Sequence, residues 1–209
     1  TGPNESVLTN DDVAVEDSSF TTGRRGVAAT VIVEKIVGSL AESGGSLEEC
    51  KKLGDKVNKN SGSMGVAFSS CTVPAAGKPT FDLGADEMEF GVGIHGEPGR
   101  RRDKVKPAQE ITNELLEAII EDLKPENNEE ILLFVNGMGG TPLTELYLVF
   151  DNAKKMLDGK NIKIARSLVG NYCTSLEMQG ASVTLTKLDQ ELVKHWDSAV
   201  HTAAMRWGM

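Results

Sequence analysis

The segment 131–169 carries two apolar runs with an amphipathic helix between them, and this combination restricts the fold more strongly than any other feature. Residues 131–135 (ILLFV) form a short continuous apolar run, which is typical of a buried strand. From Pro142 onward, apolar side chains recur every three or four residues, the spacing of an amphipathic helix. Residues 162–169 are then predicted to form another strand. A strand–helix–strand unit indicates an α/β fold.

The last part of the chain predicts a second arrangement of strands. We expect strands over 173–178 and 181–188, joined as a hairpin at Gln179 and Gly180. In the second of these strands, apolar residues alternate with hydroxyl-bearing ones, so that one face is apolar. A hairpin beside a strand–helix–strand unit favours a mixed β-sheet covered by α-helices over a purely parallel sheet.

Helices are expected at three further places. Residues 26–40 are apolar almost all round, which predicts a buried helix that ends at Gly44. Ser46, with Glu49 three residues later, forms the capping box that starts a second helix. Pro107 opens a third helix, in which apolar residues repeat every fourth position.

Composition narrows the class of protein. The chain has 209 residues, enough for one large domain or for one domain and part of another. Its formal net charge of −9 and its aromatic content of 5% argue against nucleic-acid binding, which needs clustered Lys and Arg or stacking platforms. Apolar runs are too short for a membrane-spanning helix. Three widely spaced cysteines indicate reduced thiols, and hence a cytoplasmic protein.

Residues 87–94 alternate with a period of two, which predicts a half-buried strand that ends at His95. Gly91 and Gly93 precede His95 on the same predicted face, so neighbouring side chains leave the imidazole room. Such a histidine is well placed to meet a small ligand. Equally, the glycines could admit a closely packed helix and leave His95 as a solvated loop residue.

His95 is the strongest candidate for chemistry. A neutral imidazole nitrogen can attack a ketone carbon or remove a proton from a hydroxyl group, and Glu97 could orient the ring. A metal site built from His95, His195, His201 and Glu97 is not expected, because their spacing matches no zinc or iron pattern.

Three other segments could attract anions. Residues 136–140 (NGMGG) lie between a strand and a helix, where backbone N–H groups can cradle phosphate, but they match no phosphate-binding motif and a structural turn is favoured. The basic run 100–106 is expected to be an exposed loop, with attraction of a phosphate donor or an acidic partner as the alternative. Arg24 and Arg25 could bind an anion, but an ion pair with Glu16 or Asp17 is favoured.

The sequence resembles a known family along most of its length. The segments that carry the resemblance are 11–17 (DDVAVED), 23–28 (GRRGVA), 71–79 (CTVPAAGKP), 87–99 (EMEFGVGIHGEPG), 141–147 (TPLTELY), 172–178 (YCTSLEM) and 207–208 (WG). Together they are similar to the C-terminal portion of the substrate-binding subunit of dihydroxyacetone kinase.

The resemblance implies a covalent role for His95. Its Nε2 would add to the ketone carbon of dihydroxyacetone and form a hemiaminal, which holds a terminal hydroxyl for phosphoryl transfer. No cofactor would bind directly to this chain, because the ATP or ADP sits on a partner subunit or domain. The resemblance also implies a homodimer and leaves the phosphoryl donor open between ATP itself and a phosphotransferase relay.

The resemblance also predicts what this chain lacks. Family members carry an N-terminal half with a Gly-rich loop that contains another His, and an Asp that serves as acid or base. Residues 1–25 would be a remnant of that α/β domain and 26–209 the C-terminal domain, so the site would be incomplete. The alternative function is that of a coactivator paralogue, which senses dihydroxyacetone without supporting its phosphorylation.

Overall fold

The computed structural model describes residues 2–15, 23–95 and 99–208. Five helices and eight strands follow one another as α1 (Ala29–Glu42), α2 (Leu47–Lys59), β1 (Ser61–Ala67), β2 (Glu87–Phe90), β3 (Arg101–Lys104), α3 (Ala108–Leu123), β4 (Glu130–Gly137), α4 (Leu143–Gly159), β5 (Lys163–Gly170), β6 (Gly180–Lys187), α5 (Gln190–Asp197), β7 (Val200–His201) and β8 (Arg206–Trp207) within these residues. The first six strands form one sheet in the order β3-β2-β1-β6-β4-β5, and β7 pairs with β8.

The sheet is mixed, as predicted. Strands β4 and β5 run parallel and are joined by α4, whereas the other neighbours in the sheet are antiparallel. Helices α3 and α4 pack on one face, and α1, α2 and α5 lie with the other core cluster. Because helices cover both faces, β4 is apolar on both: Leu133 faces α3 and α4, while Phe134 belongs to the opposite core.

Strands β1 and β6 carry a buried polar face. The hydroxyl groups of Ser61 and Thr186 lie 2.7 Å apart, and those of Ser63 and Thr184 are also 2.7 Å apart. Each pair is buried and links the two strands, and the Ser61 and Ser63 hydroxyl groups have further partners in the Val57 carbonyl and the Asp11 carboxylate. The predicted alternation of apolar and hydroxyl-bearing residues in β6 is therefore confirmed, although its polar face is covered rather than solvated.

The predicted strand 87–94 is too long. Strand β2 ends at Phe90, because Gly91 has a φ of +74° and turns the chain away from the sheet. Apolar residues continue to alternate beyond this point, although the backbone no longer pairs as a strand. Gly91 and Gly93 therefore do not flank His95 on one strand face.

The basic run 100–106 is also corrected. Most of it forms the edge strand β3 (Arg101–Lys104), which pairs with β2, whereas an exposed loop was expected. Acidic residues neutralise its charges: Arg102 lies 3.1 Å from Glu89, and Lys106 lies 2.6 Å from Glu114. Because its cations are paired, this strand gives little support to the alternative of an anion-attracting surface.

The predicted hairpin over 173–188 is wrong in its first half. Only β6 is a strand, and residues 173–178 are irregular. The Asn136 side chain accepts hydrogen bonds from the Tyr172 and Cys173 amides and donates one to the Cys173 carbonyl. These backbone groups are thus engaged by a side chain, and Leu176 adopts a φ of +52°.

Helix boundaries follow the predictions within a few residues. The expected burial of α1 all round is wrong, because the helix buries one side only. None of the helices in the described part of the chain combines the length and apolar content needed to cross a bilayer. The division into a remnant over 1–25 and a domain over 26–209 stays a prediction.

Replacing Ser46 by Ala is expected to lower the free energy of unfolding by about 1 kcal/mol. The Ser46 hydroxyl accepts from the Glu49 amide at 3.3 Å, and the Glu49 carboxylate accepts from the Ser46 amide at 2.7 Å. Urea unfolding measures the change. Ser46→Asp, which keeps a capping acceptor, should lose little; an equal loss in both variants would contradict the assignment of the cap.

Candidate functional site

His95 lies on the loop between β2 and β3, of which residues 91–95 and Gly99 are described. The loop is closed at its base, where the Arg100 amide donates to the Phe90 carbonyl at 2.6 Å. Just inside that bond, the Gly99 amide donates to the Glu89 carboxylate at 3.1 Å. The imidazole of His95 is exposed, so the loop presents it to solvent from a fixed base. Glu97, suggested above to orient the ring, lies outside the described residues.

Two glycines allow the loop base to close. A Cβ atom on Gly91 would lie 2.6 Å from the Ala14 Cβ, and one on Gly99 would lie 2.1 Å from the Phe90 carbonyl oxygen. Both distances are far shorter than any real contact, so the backbone approaches its neighbours too closely for a side chain. The glycines therefore serve close packing at the base of the loop, and His95 lies exposed beyond it.

A buried ion pair contacts the start of the loop. The Arg25 Nε and Nη2 atoms lie 2.8 Å and 2.7 Å from the Asp12 Oδ2, and Nη2 also donates to the Gly91 carbonyl at 2.6 Å. Arg25 is 7% exposed and Asp12 is 2% exposed. Glu16 and Asp17, the expected partners of Arg24 and Arg25, lie outside the described residues. In the structure Arg24 pairs with Asp122.

Asp11, next to this pair, joins three parts of the fold. Its carboxylate accepts from the Val27 and Ala29 amides at the start of α1 and from the Ser63 hydroxyl on β1. Burial raises the pKa of Asp11, against the effect of these donors. The pattern of the sequence did not reveal this role, since acidic residues are rarely buried. The sequence did contain one sign of this role, because Asp11 and Asp12 directly precede a short apolar run.

The pKa of Asp12 gives a prediction of pH dependence. Burial is the main cause that raises the pKa of Asp12, from 3.8 to about 6. The charge of Arg25 lowers this pKa, and the nearby Asp11 raises it further. Since the folded state then holds the proton more tightly, the contribution of Asp12 to stability is fully present below about pH 4. It is lost as the pH rises through about 6.

The test compares the chain with Asp12→Asn by urea unfolding at pH 4 and pH 7. The free energy of unfolding of the unsubstituted chain, relative to that of the variant, should fall by about 2 kcal/mol between pH 4 and pH 7. Carboxyl NMR should place the Asp12 midpoint near 6. A difference that grows with pH would show that pairing with Arg25 outweighs burial.

The glycine-rich segment 136–140 is structural: Asn136 and Gly137 end β4, and Gly139 and Gly140 follow it in close contact with another part of the chain. Cβ atoms on Gly139 and Gly140 would lie 2.0 Å and 2.4 Å from the carbonyl oxygens of Leu176 and Glu177. Its amides already donate within the fold, including that of Gly140 to the Met178 carbonyl. The segment is thus packed against residues 174–178, which supports the favoured interpretation over a phosphate cradle.

The other two histidines lie apart from the loop. His195 is buried on α5 with its Nδ1 3.0 Å from the Ser39 hydroxyl oxygen, and His201 lies on β7. Within residues 2–15, 23–95 and 99–208, no three His, Cys, Asp or Glu side chains lie close enough to hold a metal ion.

Two clefts on the described surface could bear on His95. The larger, of about 590 Å³, lies between α1 and the β7–β8 hairpin, and its described lining includes no residue of the loop 91–99. The other, of about 570 Å³, is lined in part by Ala14, Arg24 and Arg100. Since Ala14 and Arg100 also flank Gly91, this polar cleft lies beside the base of the loop, and it is the more relevant of the two to His95.

A comparison with family models identifies the chain. The model of the Dak1 domain matches residues 2–204, almost the whole length. The chain belongs to the Dak1 domain family. This confirms the resemblance to the substrate-binding subunit of dihydroxyacetone kinase, and it also agrees with the mixed α/β fold.

This Dak1 domain is similar in sequence to proteins of known function. It is 49% identical over 187 residues to "PTS-dependent dihydroxyacetone kinase 1, dihydroxyacetone-binding subunit DhaK" from Listeria innocua, a match that covers 90% of this chain and 57% of the relative. The chain therefore spans less than two thirds of that subunit.

Two solved structures share the fold over at least 90% of this chain. The "Dihydroxyacetone kinase operon co-activator Dha-DhaQ" superposes with a TM-score of 0.85 and 32% identity, over 92% of this chain and 60% of its own. The dihydroxyacetone kinase from C. freundii, in complex with AMP-PNP and Mg2+, gives a TM-score of 0.78 and 27% identity. The match covers 90% of this chain and 34% of that kinase. One relative is thus a kinase and the other a co-activator.

Proposed function

We propose that this Dak1 domain is the dihydroxyacetone-binding part of a dihydroxyacetone kinase and holds the ketone as a hemiaminal on His95. The observation that carries the proposal is the exposed His95 on a loop with a pinned base, in a domain whose Listeria innocua relative is named a dihydroxyacetone-binding subunit. A nucleophile fixed on a closed loop can meet a small ketone in a constant orientation.

The covalent step needs a neutral imidazole with its proton on Nδ1. The Nε2 lone pair adds to the ketone carbon, a C–N bond forms, and the C=O π electrons move to the oxygen. The proton on Nδ1 is lost and a proton is gained by that oxygen, so the product is a neutral hemiaminal and nothing leaves. The adduct therefore adds one whole dihydroxyacetone molecule to the mass of the chain.

This anchoring explains substrate choice and the need for a partner. Glycerol has the same number of carbons but no carbonyl group, so Nε2 cannot add to it. Once anchored, the ketone keeps a free terminal hydroxyl that can accept a phosphoryl group. The phosphoryl group comes from a nucleotide on a partner subunit or domain, with ATP used directly or recharged by a phosphotransferase relay. The working assembly is a homodimer in the cytoplasm.

A second function is favoured by one specific observation. The co-activator Dha-DhaQ has a TM-score of 0.85 to this chain, above the 0.78 of the C. freundii kinase. In that case His95 still binds dihydroxyacetone, but the bound ketone is sensed rather than phosphorylated. Adduct formation without turnover, after a nucleotide-bearing kinase subunit is added, would select this function.

The test of ketone binding is intact mass under non-denaturing conditions. With saturating dihydroxyacetone, the chain should gain one substrate mass, and it should gain none with glycerol. His95→Ala should abolish the gain. His201→Gln is the matched control, because His201 is also an exposed histidine but lies on β7. A gain that survives in His95→Ala, or none in the unsubstituted chain, would overturn the proposal.

A further inference from the structure

The buried Arg25 side chain reaches a backbone atom at the start of the His95 loop. Arg25 and Gly91 are 66 residues apart in the sequence, yet the Arg25 Nη2 donates to the Gly91 carbonyl at 2.6 Å. The same guanidinium pairs with Asp12, which is fixed in turn because its Oδ1 accepts from the Ala14 amide at 2.9 Å.

Stability alone does not account for this arrangement. The burial of two charges costs several kcal/mol, and well-packed apolar residues often replace a buried ion pair without loss of stability. What an apolar side chain cannot supply is a directed donor to a carbonyl group. The contact with Gly91 is therefore the property that distinguishes Arg25 from a filler of the same size.

We infer that the Asp12–Arg25 pair positions His95 by fixing the backbone of Gly91. The functional meaning of this inference rests on the proposed function, whereas the contact itself does not. In this account, Arg25 and Asp12 act on His95 through the backbone of the loop.

Gly91 is the point at which such control is effective. Its φ of +74° lies in a region open to glycine, so its peptide groups would otherwise have wide freedom. Three contacts remove that freedom: its amide donates to the Gly65 carbonyl at 2.7 Å, its carbonyl accepts from Arg25, and Ala14 packs against its Cα. The direction in which the chain leaves β2 is thereby set.

A carboxylate paired with an arginine also holds the other end of the loop. The Glu89 Oε1 accepts from the Gly99 amide at 3.1 Å, while its Oε2 lies 3.1 Å from the Arg102 Nε. Glu89 is only 6% exposed. Each end of the loop is thus attached to a carboxylate–arginine pair. At Gly91 the attachment is through the buried Arg25, and at Gly99 it is through the buried Glu89 carboxylate, whose partner Arg102 is exposed.

The test uses Arg25→Met, which keeps the length of the side chain but not its donors, and Arg25→Lys as a second variant. Arg166→Gln is the matched control, since Arg166 makes a two-pronged pair with Asp197 on β5 and α5. Order parameters of the backbone amides from Gly91 to His95 are measured by 15N relaxation without ketone, and the dissociation constant for dihydroxyacetone is measured by intact mass.

We expect Arg25→Met to lower the order parameters of the loop and to weaken the adduct by about tenfold or more, as for loss of a charge-assisted hydrogen bond. Arg25→Lys should give a smaller effect, and it decides the question if Arg25→Met does not fold. A folded Arg25 variant whose loop stays as rigid as in Arg166→Gln would overturn the inference. If the unsubstituted chain forms no adduct, the proposed function fails, while the order parameters still decide the positioning role.

Discussion

Replacing Gly99 by Ala is expected to open the base of the His95 loop and to abolish most of the ketone adduct. The new Cβ would lie 2.1 Å from the Phe90 carbonyl oxygen and 2.8 Å from its carbonyl carbon. These are backbone atoms of β2, so they cannot rotate away as a side chain could. The clash separates β2 from the returning chain and breaks the bonds that Gly99 and Arg100 make there.

The expected loss in the free energy of unfolding is about 2–3 kcal/mol, because two partly buried hydrogen bonds are left unmade. Urea unfolding and intact mass with dihydroxyacetone measure the two effects. Gly38→Ala is the matched control: a Cβ on Gly38 meets nothing within 4 Å, and alanine suits a helix interior better. Gly99→Ala with unchanged stability and adduct would show that the loop base does not matter.

Replacing Asp11 by Ala should produce the largest loss of stability. The substitution leaves the Val27 and Ala29 amides and the Ser63 hydroxyl without the carboxylate that they contact in a buried site. Each unsatisfied buried donor costs about 1–3 kcal/mol. Part of that cost is offset because the variant no longer buries a charge, whose burial raises the pKa of Asp11.

We therefore expect the free energy of unfolding to fall by about 3–5 kcal/mol in Asp11→Ala. The control is Asp151→Ala, which removes an exposed carboxylate paired with Lys155 on α4 and should cost less than about 1 kcal/mol. Urea unfolding of both variants decides the matter. Equal losses would mean that Asp11 does not tie the start of α1 to β1.

The sequence predicts the elements whose pattern reflects burial. Residues 131–135 are apolar on both faces because helices cover both sides of β4, and this is visible as a continuous apolar run. The capping box at Ser46 is equally local, since its two hydrogen bonds join residues three apart. Such features depend on neighbours in the chain and can be predicted from it.

Local sequence patterns do not predict features that depend on residues far apart in the chain. The period-two pattern continues to Ile94, but the turn at Gly91 is imposed by contacts with Gly65 and Ala14. Strand β3 has no apolar alternation, because its charged side chains pair with acids of other elements. The Asp12–Arg25 pair likewise joins residues that nothing local marks as buried.

The site itself was only partly predictable. The pattern singled out His95 and left its role open between a ligand contact and a solvated loop residue; the resemblance supplied the ketone. What the sequence did not indicate is the support for the loop, namely the close approaches at Gly91 and Gly99 and the buried Arg25 beneath them. These contacts arise only once β1, β2 and the segment 11–15 are assembled.

The most direct test of the account is NMR of dihydroxyacetone labelled with 13C at its carbonyl carbon, bound to the chain with 15N-labelled histidine. A hemiaminal on His95 predicts that the carbonyl signal moves to the range of a tetrahedral carbon and shows one-bond coupling to an imidazole nitrogen. Both signals should be absent in His95→Ala. A bound ketone that keeps its carbonyl shift, or a coupling that persists in His95→Ala, would contradict the account.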